Sequence, residues 1–179
     1  HWSGYRLYRF QLFMDKSRIP ENPLFGKRMI QVLRGFTSVG YIGLIPGAPG
    51  TYGSLVTLPI AYYWGTLVTD NPFITFGVIA IITLMGVFAS NKVGESLGVE
   101  DPGEIVIDEL VGQWIAVLAI PAHWGFWLAA FILFRVFDIW KPWLIDKSQH
   151  LPGGIGVMMD DVLAGLLALA IIQGVALVI

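Results

Sequence analysis

Charged residues in this chain fall in clusters and leave long apolar runs between them. Residues 35–69, 71–91, 110–134 and 162–179 contain no Lys, Arg, Asp or Glu. A helix needs roughly 20 apolar residues to cross a hydrocarbon core about 30 Å thick, so runs of this length predict membrane helices. Breakers and caps divide them. The Gly- and Pro-rich stretch from Gly43 to Thr51 cannot continue a helix and ends at Thr51 or Ser54 as N-cap. The first helix is then predicted over 55–68. The second covers 73–89, after a tight turn at Asp70-Asn71-Pro72, and the last covers 162–179. Residues 110–120 and 124–134 are separated by Pro121-Ala122-His123, and each is short for a full crossing. They form either two tilted helices, extended by 105–109 and by 135–138, or a re-entrant hairpin, and hydropathy does not separate these. Counting two helices gives an all-α, polytopic membrane bundle of about five helices.

Composition supports this class. Of the 179 residues, 13% are charged, against about a quarter in soluble domains. A net charge of −2 excludes a nucleic-acid binder driven by overall basicity. The absence of cysteine removes disulfides, thiolate metal sites and cysteine nucleophiles together. Residues 1–34 carry seven Lys or Arg against Asp15 and Glu21, interleaved with Trp2, Tyr5, Tyr8, Phe10 and Phe13. They read as a basic, aromatic interfacial segment before a membrane-embedded domain over 35–179. They lack the apolar core and small-residue cleavage site of a signal peptide and are expected to belong to the protein.

Charge also predicts orientation. With five alternating helices and the N-terminus inside, segments 1–54, 91–109 and 135–161 are internal and hold all 11 Lys and Arg. Of the 13 acids only Asp70 falls outside. The positive-inside rule makes the charged face cytoplasmic.

Three polar blocks share that face. In the first, Asp108 and Glu109 stand where the chain turns apolar; such a pair needs a cation, protons or basic partners to stay together at a membrane edge, although acids also suit the first turn of a helix as caps. In the second, Arg135, Asp138 and Lys141 are spaced by three and project toward one sector of a helix ending before Pro142. A plain intrahelical salt bridge with snorkelling cations would explain that block alone. In the third, the Gly-rich run from Gly153 to Gly156 reads as a loop that allows close backbone approach, with Asp160 and Asp161 at the start of the last helix. Oxygen ligands without Cys and with little His suit a hard cation such as Mg²⁺, which binds one or two carboxylates plus phosphate oxygens and water. The chemistry indicated is metal-assisted attack on a phosphate, with Arg and Lys neutralising charge.

Four motifs then occur in order: Pro46-Gly47-Ala48-Pro49-Gly50-Thr51-Tyr52-Gly53-Ser54-Leu55; Ile105-Val106-Ile107-Asp108-Glu109 with Gly112 and Trp114; Phe134-Arg135-Val136-Phe137-Asp138-Ile139-Trp140-Lys141-Pro142; and Gly153-Gly154-Ile155-Gly156-Val157-Met158-Met159-Asp160-Asp161 with Ala164-Gly165. Over about residues 35–179 the chain resembles the phosphatidylglycerophosphatase A family. The resemblance implies a Mg²⁺-dependent integral membrane phosphatase with an all-α core, converting the phospholipid phosphatidylglycerophosphate to phosphatidylglycerol and inorganic phosphate in the bacterial cytoplasmic (inner) membrane. It makes Asp108, Glu109, Asp138, Asp160 and Asp161 the expected metal ligands or water-activating groups. Arg135 and Lys141 become the expected phosphate contacts, with Thr51 and Ser54 lining the same site. The chain departs from the family at Leu144, where a second Pro is common, and over 145–152. Histidine-dependent, Asp-x-Asp and Cys-dependent phosphatase chemistries lack their residues here. The competing class, a small transporter or cation-binding membrane protein using the same carboxylates, expects ionisable groups within the spans, whereas these cluster at one edge.

Overall fold

The computed structural model describes residues 26–121 and 123–178. The remainder of the basic, aromatic segment, and Ala122 in the predicted break, lie outside the described residues. Among the described residues the chain is all helical, in the order α1 (Lys27–Thr37), a 3-10 turn (Ile42–Leu44), α2 (Pro49–Leu67), α3 (Pro72–Leu97), α4 (Ile107–Ala116), α5 (Trp124–Trp140), α6 (Trp143–Ser148) and α7 (Gly154–Ala176). Among the described residues there are seven α-helices, five of them over the runs predicted as membrane helices. The additional two, α1 and α6, are short and carry the charges that mark their segments as polar linkers in the sequence.

Helix ends also move. Helix α2 begins at Pro49, with Ala48 as N-cap, because proline is well suited to the first helical turn; Thr51 and Ser54 therefore lie inside the helix and are not caps. Helix α3 starts as expected, with Asn71 Oδ1 accepting from the Phe73 N–H (2.9 Å) and Pro72 following. Helix α7 starts at Gly154, well before the predicted Val162, so most of the supposed Gly-rich loop is helix and only Gly153 precedes it, at φ +59°. A Cβ on Gly154 would collide with the Val87 carbonyl, and one on Gly156 with that of Leu151. These glycines let helices and turns pack closely; they do not form a ligand cradle.

Helix α4 is the axis of the bundle. All its residues except Glu109 are buried, and it packs against α7, α2, α3 and α5. Ten residues span about 15 Å, half of a hydrocarbon core, so α4 is a half-length helix enclosed by longer neighbours. Helix α5, at 17 residues, is instead an outer helix with only Ala130 and Phe134 buried. Residues 110–134 thus form two helices of unequal kind.

Helices α3 and α7 are long and apolar enough to cross a membrane. Only 28% of the apolar stretch of α3 is buried, and Phe73, Ile81, Leu84 and Phe88 stand exposed along it. A core helix of a soluble protein would hide such a stripe. Exposed apolar area of this kind points to membrane association.

Candidate active site and metal centre

Two glycine contacts bring the acids together. A Cβ on Gly165 of α7 would collide with the carbonyl oxygen of Gly112 on α4, and one on Gly112 would lie 2.6 Å from the Asp161 carbonyl oxygen. Small residues at a crossing let helix backbones approach closely. Asp108 precedes Gly112 by four residues and Asp161 precedes Gly165 by four, one turn in each case. The crossing therefore places both carboxylates above the same contact. Gly50 performs a similar service from α2: a Cβ there would collide with Oε1 of Glu109 and lie 3.1 Å from Nη1 of Arg135.

The result is a pair of carboxylate triads. Asp108, Glu109 and Asp161 each offer a ligand oxygen within 4.8 Å of the others, as do Asp138, Asp160 and Asp161. Asp161 belongs to both. It is buried, as are Asp108 and Asp160. Asp160 and Asp161 sit in the second turn of α7, so they are not N-caps. Asp108 and Glu109 do occupy the first turn of α4, but its N-cap is Val106 and no side chain caps it; Asp108 Oδ1 accepts from the N–H of Glu109, 3.0 Å away.

Two cations border these acids. Arg135 Nη1 lies 2.7 Å from Asp138 Oδ2 and 3.9 Å from Glu109 Oε1. The intrahelical pair is thus real, and it is also joined to α4. Lys141 ends α5 in the left-handed region at φ 48°. That conformation turns its side chain to α7, where Nζ donates to Asp160 Oδ2 at 2.6 Å and to Gln149 Oε1 at 3.0 Å. No motif in the sequence signalled Gln149.

Five carboxylates against two cations leave an excess of negative charge, and buried oxygens without hydrogen-bond partners mark where it is uncompensated: Glu109 Oε2, Asp160 Oδ1 and Asp161 Oδ1. Such orphans are costly in a buried site. Their number, hardness and convergence fit a divalent cation with oxygen coordination. Burial, reinforced by the charge of Glu109, pushes the Asp108 carboxyl well above the usual carboxylate range. Glu109 is raised by burial and by Asp138, against the opposing effects of Asp108 and Arg135. Burial alone would lower Lys141, but its bond to Asp160 and the charges of Asp160, Asp138 and Asp161 outweigh that and raise it, so its ammonium stays charged.

The remaining expected residues lie nearby. Ser54 is buried and donates to the Gly50 carbonyl at 2.9 Å, so its hydroxyl is engaged within α2, one turn from the glycine that touches Glu109. Thr51 directly follows that glycine and is half-buried. The structure also reveals a brace behind the site. Arg34 of α1, buried, donates from Nε and Nη2 to the two oxygens of Glu104, at 2.7 and 2.8 Å, and the Val106 N–H donates to the Thr37 carbonyl at 2.9 Å. Together they fix the segment that leads into Asp108. In the sequence Arg34 is one basic residue of a basic segment, and nothing in its spacing singles it out.

The chain resembles known proteins over most of its length. A family model described as phosphatidylglycerophosphatase A matches residues 35–176. The chain is 38% identical to a phosphatidylglycerophosphatase A of Escherichia coli over 135 residues, 73% of this chain and 75% of that protein. It is 42% identical to a Haemophilus influenzae protein of the same name over 132 residues, 73% and 80% of the two chains. It is also 44% identical over 135 residues to a Bacteroides thetaiotaomicron protein provisionally named phosphatidylinositol-3-phosphatase, 73% and 84% of the two chains. No solved structure matches significantly.

Proposed function

The chain belongs to the phosphatidylglycerophosphatase A family, and we propose on that basis that it is a Mg²⁺-dependent lipid phosphatase, hydrolysing phosphatidylglycerophosphate to phosphatidylglycerol and inorganic phosphate. One observation carries the reading: two largely buried carboxylate triads share Asp161, with Arg135 and Lys141 in contact with them. Asp108, Glu109, Asp138, Asp160 and Asp161 would hold the cation. When bound, it supplies Lewis-acid polarisation of the phosphoryl oxygens and a more acidic water.

The chain's own groups do the rest. Arg135 keeps its Nε without a hydrogen-bond partner, and Lys141 stays charged beside Asp160; both suit the phosphate oxygens of a bound substrate and the charge that develops on them. Thr51 follows Gly50 directly and is the α2 residue proposed to line the phosphate, while Ser54 keeps its hydroxyl on the Gly50 carbonyl and acts through that turn. The closely packed α4–α7 crossing excludes water below the acids. The nucleophile is water and no phosphoenzyme forms; a phosphoenzyme trapped by acid quench would contradict this.

The multi-pass topology and the cytoplasmic orientation belong to the same proposal. They are supported by the sequence: the segments around Asp70 and His123, which join predicted helices on the other side, contain no Lys or Arg and only Asp70 among the acids. The name of the Bacteroides relative favours a second headgroup, phosphatidylinositol 3-phosphate, which presents the same phosphomonoester. The test is phosphate release from each lipid in detergent, with Mg²⁺ and with chelator. Chelator-sensitive release from phosphatidylglycerophosphate is expected, and its absence under every metal overturns the reading.

A further inference from the structure

Around Lys141 the chain faces two ways. Asp138 and Lys141 turn inward to the acid cluster, whereas Ile139, Trp140, Trp143 and Leu144 are 60–76% exposed. We treat these four exposed, large apolar side chains, which follow one another across the end of α5 and the start of α6, as one plate. At its rim Lys147 holds Nζ 4.4 Å from the centroid of the Trp143 ring, a cation–π contact that keeps the indole beside a charge. An indole with an apolar body and a wet edge, next to a cation, is the side-chain chemistry of a lipid headgroup boundary.

A second tryptophan fixes the scale. Trp124, at the other end of α5, is 74% exposed, as is Trp140. The sixteen residue steps from one to the other rise about 24 Å along a helix, on the order of a hydrocarbon core. The intervening outer face is apolar, with Leu128, Ile132 and Val136 exposed. Helix α5 therefore carries an aromatic anchor at each edge of one lipid-thick band, and the anchor nearer the acids is enlarged into the plate.

The geometry points to a docking surface for the headgroup–acyl boundary of the leaflet on the acid-cluster side: Ile139, Trp140, Trp143 and Leu144 seat in that boundary and hold Lys141 and its carboxylates at headgroup depth. The ligand served is a phosphomonoester borne by a lipid of the same leaflet, reaching the cluster sideways while its chains stay in the membrane; a phosphomonoester dissolved in water gains nothing from the plate. This rests on the phosphatase reading for its kinetic consequence and on the structure alone for its depth.

The two are tested separately. Because the chain has no cysteine, Trp140→Cys, Trp143→Cys and Asp146→Cys each give a single site for a nitroxide label in vesicles of phosphatidylethanolamine and phosphatidylglycerol. Labels at 140 and 143 are expected at the boundary, more accessible to oxygen and less to a water-soluble nickel chelate than the label on exposed Asp146. Equal chelate access at all three positions overturns the plate. For function, Trp140→Ser/Trp143→Ser is compared with the parent on long-chain phosphatidylglycerophosphate in vesicles and on its six-carbon-chain analogue as a monomer in solution. Expected is a loss of about fivefold or more in kcat/KM on the vesicle substrate, carried by KM, with the monomeric analogue within about twofold of the parent. An equal loss on both substrates, or none on either, overturns the role in presenting substrate. If the parent hydrolyses neither, the phosphatase reading fails while the label depths still decide the plate.

Discussion

Asp161 lends an oxygen to both triads, whereas Asp108 serves only one. Replacing Asp161 by Asn removes a ligand from each without changing shape, and should lower kcat by about 100-fold or more; Asp108→Asn should be no more severe. Phosphate release, with melting in detergent as a control for folding, checks both. Protonation gives a second test. Folding raises the carboxyl pKa of Asp108 and Glu109, so the folded chain binds their protons more tightly than the unfolded one. The stability this contributes is full below the ordinary carboxylate range and is lost as pH rises through the raised values. A divalent cation binds the ionised form and reverses that loss. The rise in melting midpoint caused by Mg²⁺ should therefore be larger near about pH 8 than near about pH 5. Equal shifts at both would mean that these acids do not hold the metal.

At the scale of elements, the glycine crossing of α4 and α7 builds the site and the Arg34–Glu104 pair braces it. Gly112→Ala forces a methyl against Phe134 and the Asp161 carbonyl, and should destabilise by about 1–3 kcal/mol while spreading the acids, so Mg²⁺ affinity falls with it in a titration. Breaking the largely buried ion pair with Arg34→Met alone should cost about 3 kcal/mol, and adding Glu104→Leu should recover much of it. A denaturation series on the two variants and the parent checks the pair. The acids, Arg135 and Lys141 were legible in the sequence because charge is conspicuous beside apolar runs. The starts of α2 and α7 were not, because proline opens α2 within a Gly- and Pro-rich run and α7 buries two aspartates inside a helix that the apolar pattern begins only after them. Arg34 was hidden for another reason: its partner lies 70 residues away, and only folding makes it different from Lys27 or Arg28.

For the whole molecule, the uncharged runs disclosed an apolar bundle with one polar end, but not the half-length of α4, since an enclosed helix and a lipid-facing one have the same composition. Topology is open to labelling. With the cluster facing the cytoplasm, Asp146→Cys should react with an impermeant maleimide only after cells are opened, and Asp70→Cys should react in intact cells; the reverse pattern would invert the protein. The central claim is that the two carboxylate triads hold the metal with which a lipid phosphomonoester is hydrolysed. Its most direct test is phosphate release from phosphatidylglycerophosphate in detergent, with and without Mg²⁺, for the parent, Asp161→Asn and Asp108→Asn. The account predicts Mg²⁺-dependent release that both substitutions abolish in folded protein. Release that survives both substitutions, or that is indifferent to chelator, would contradict it.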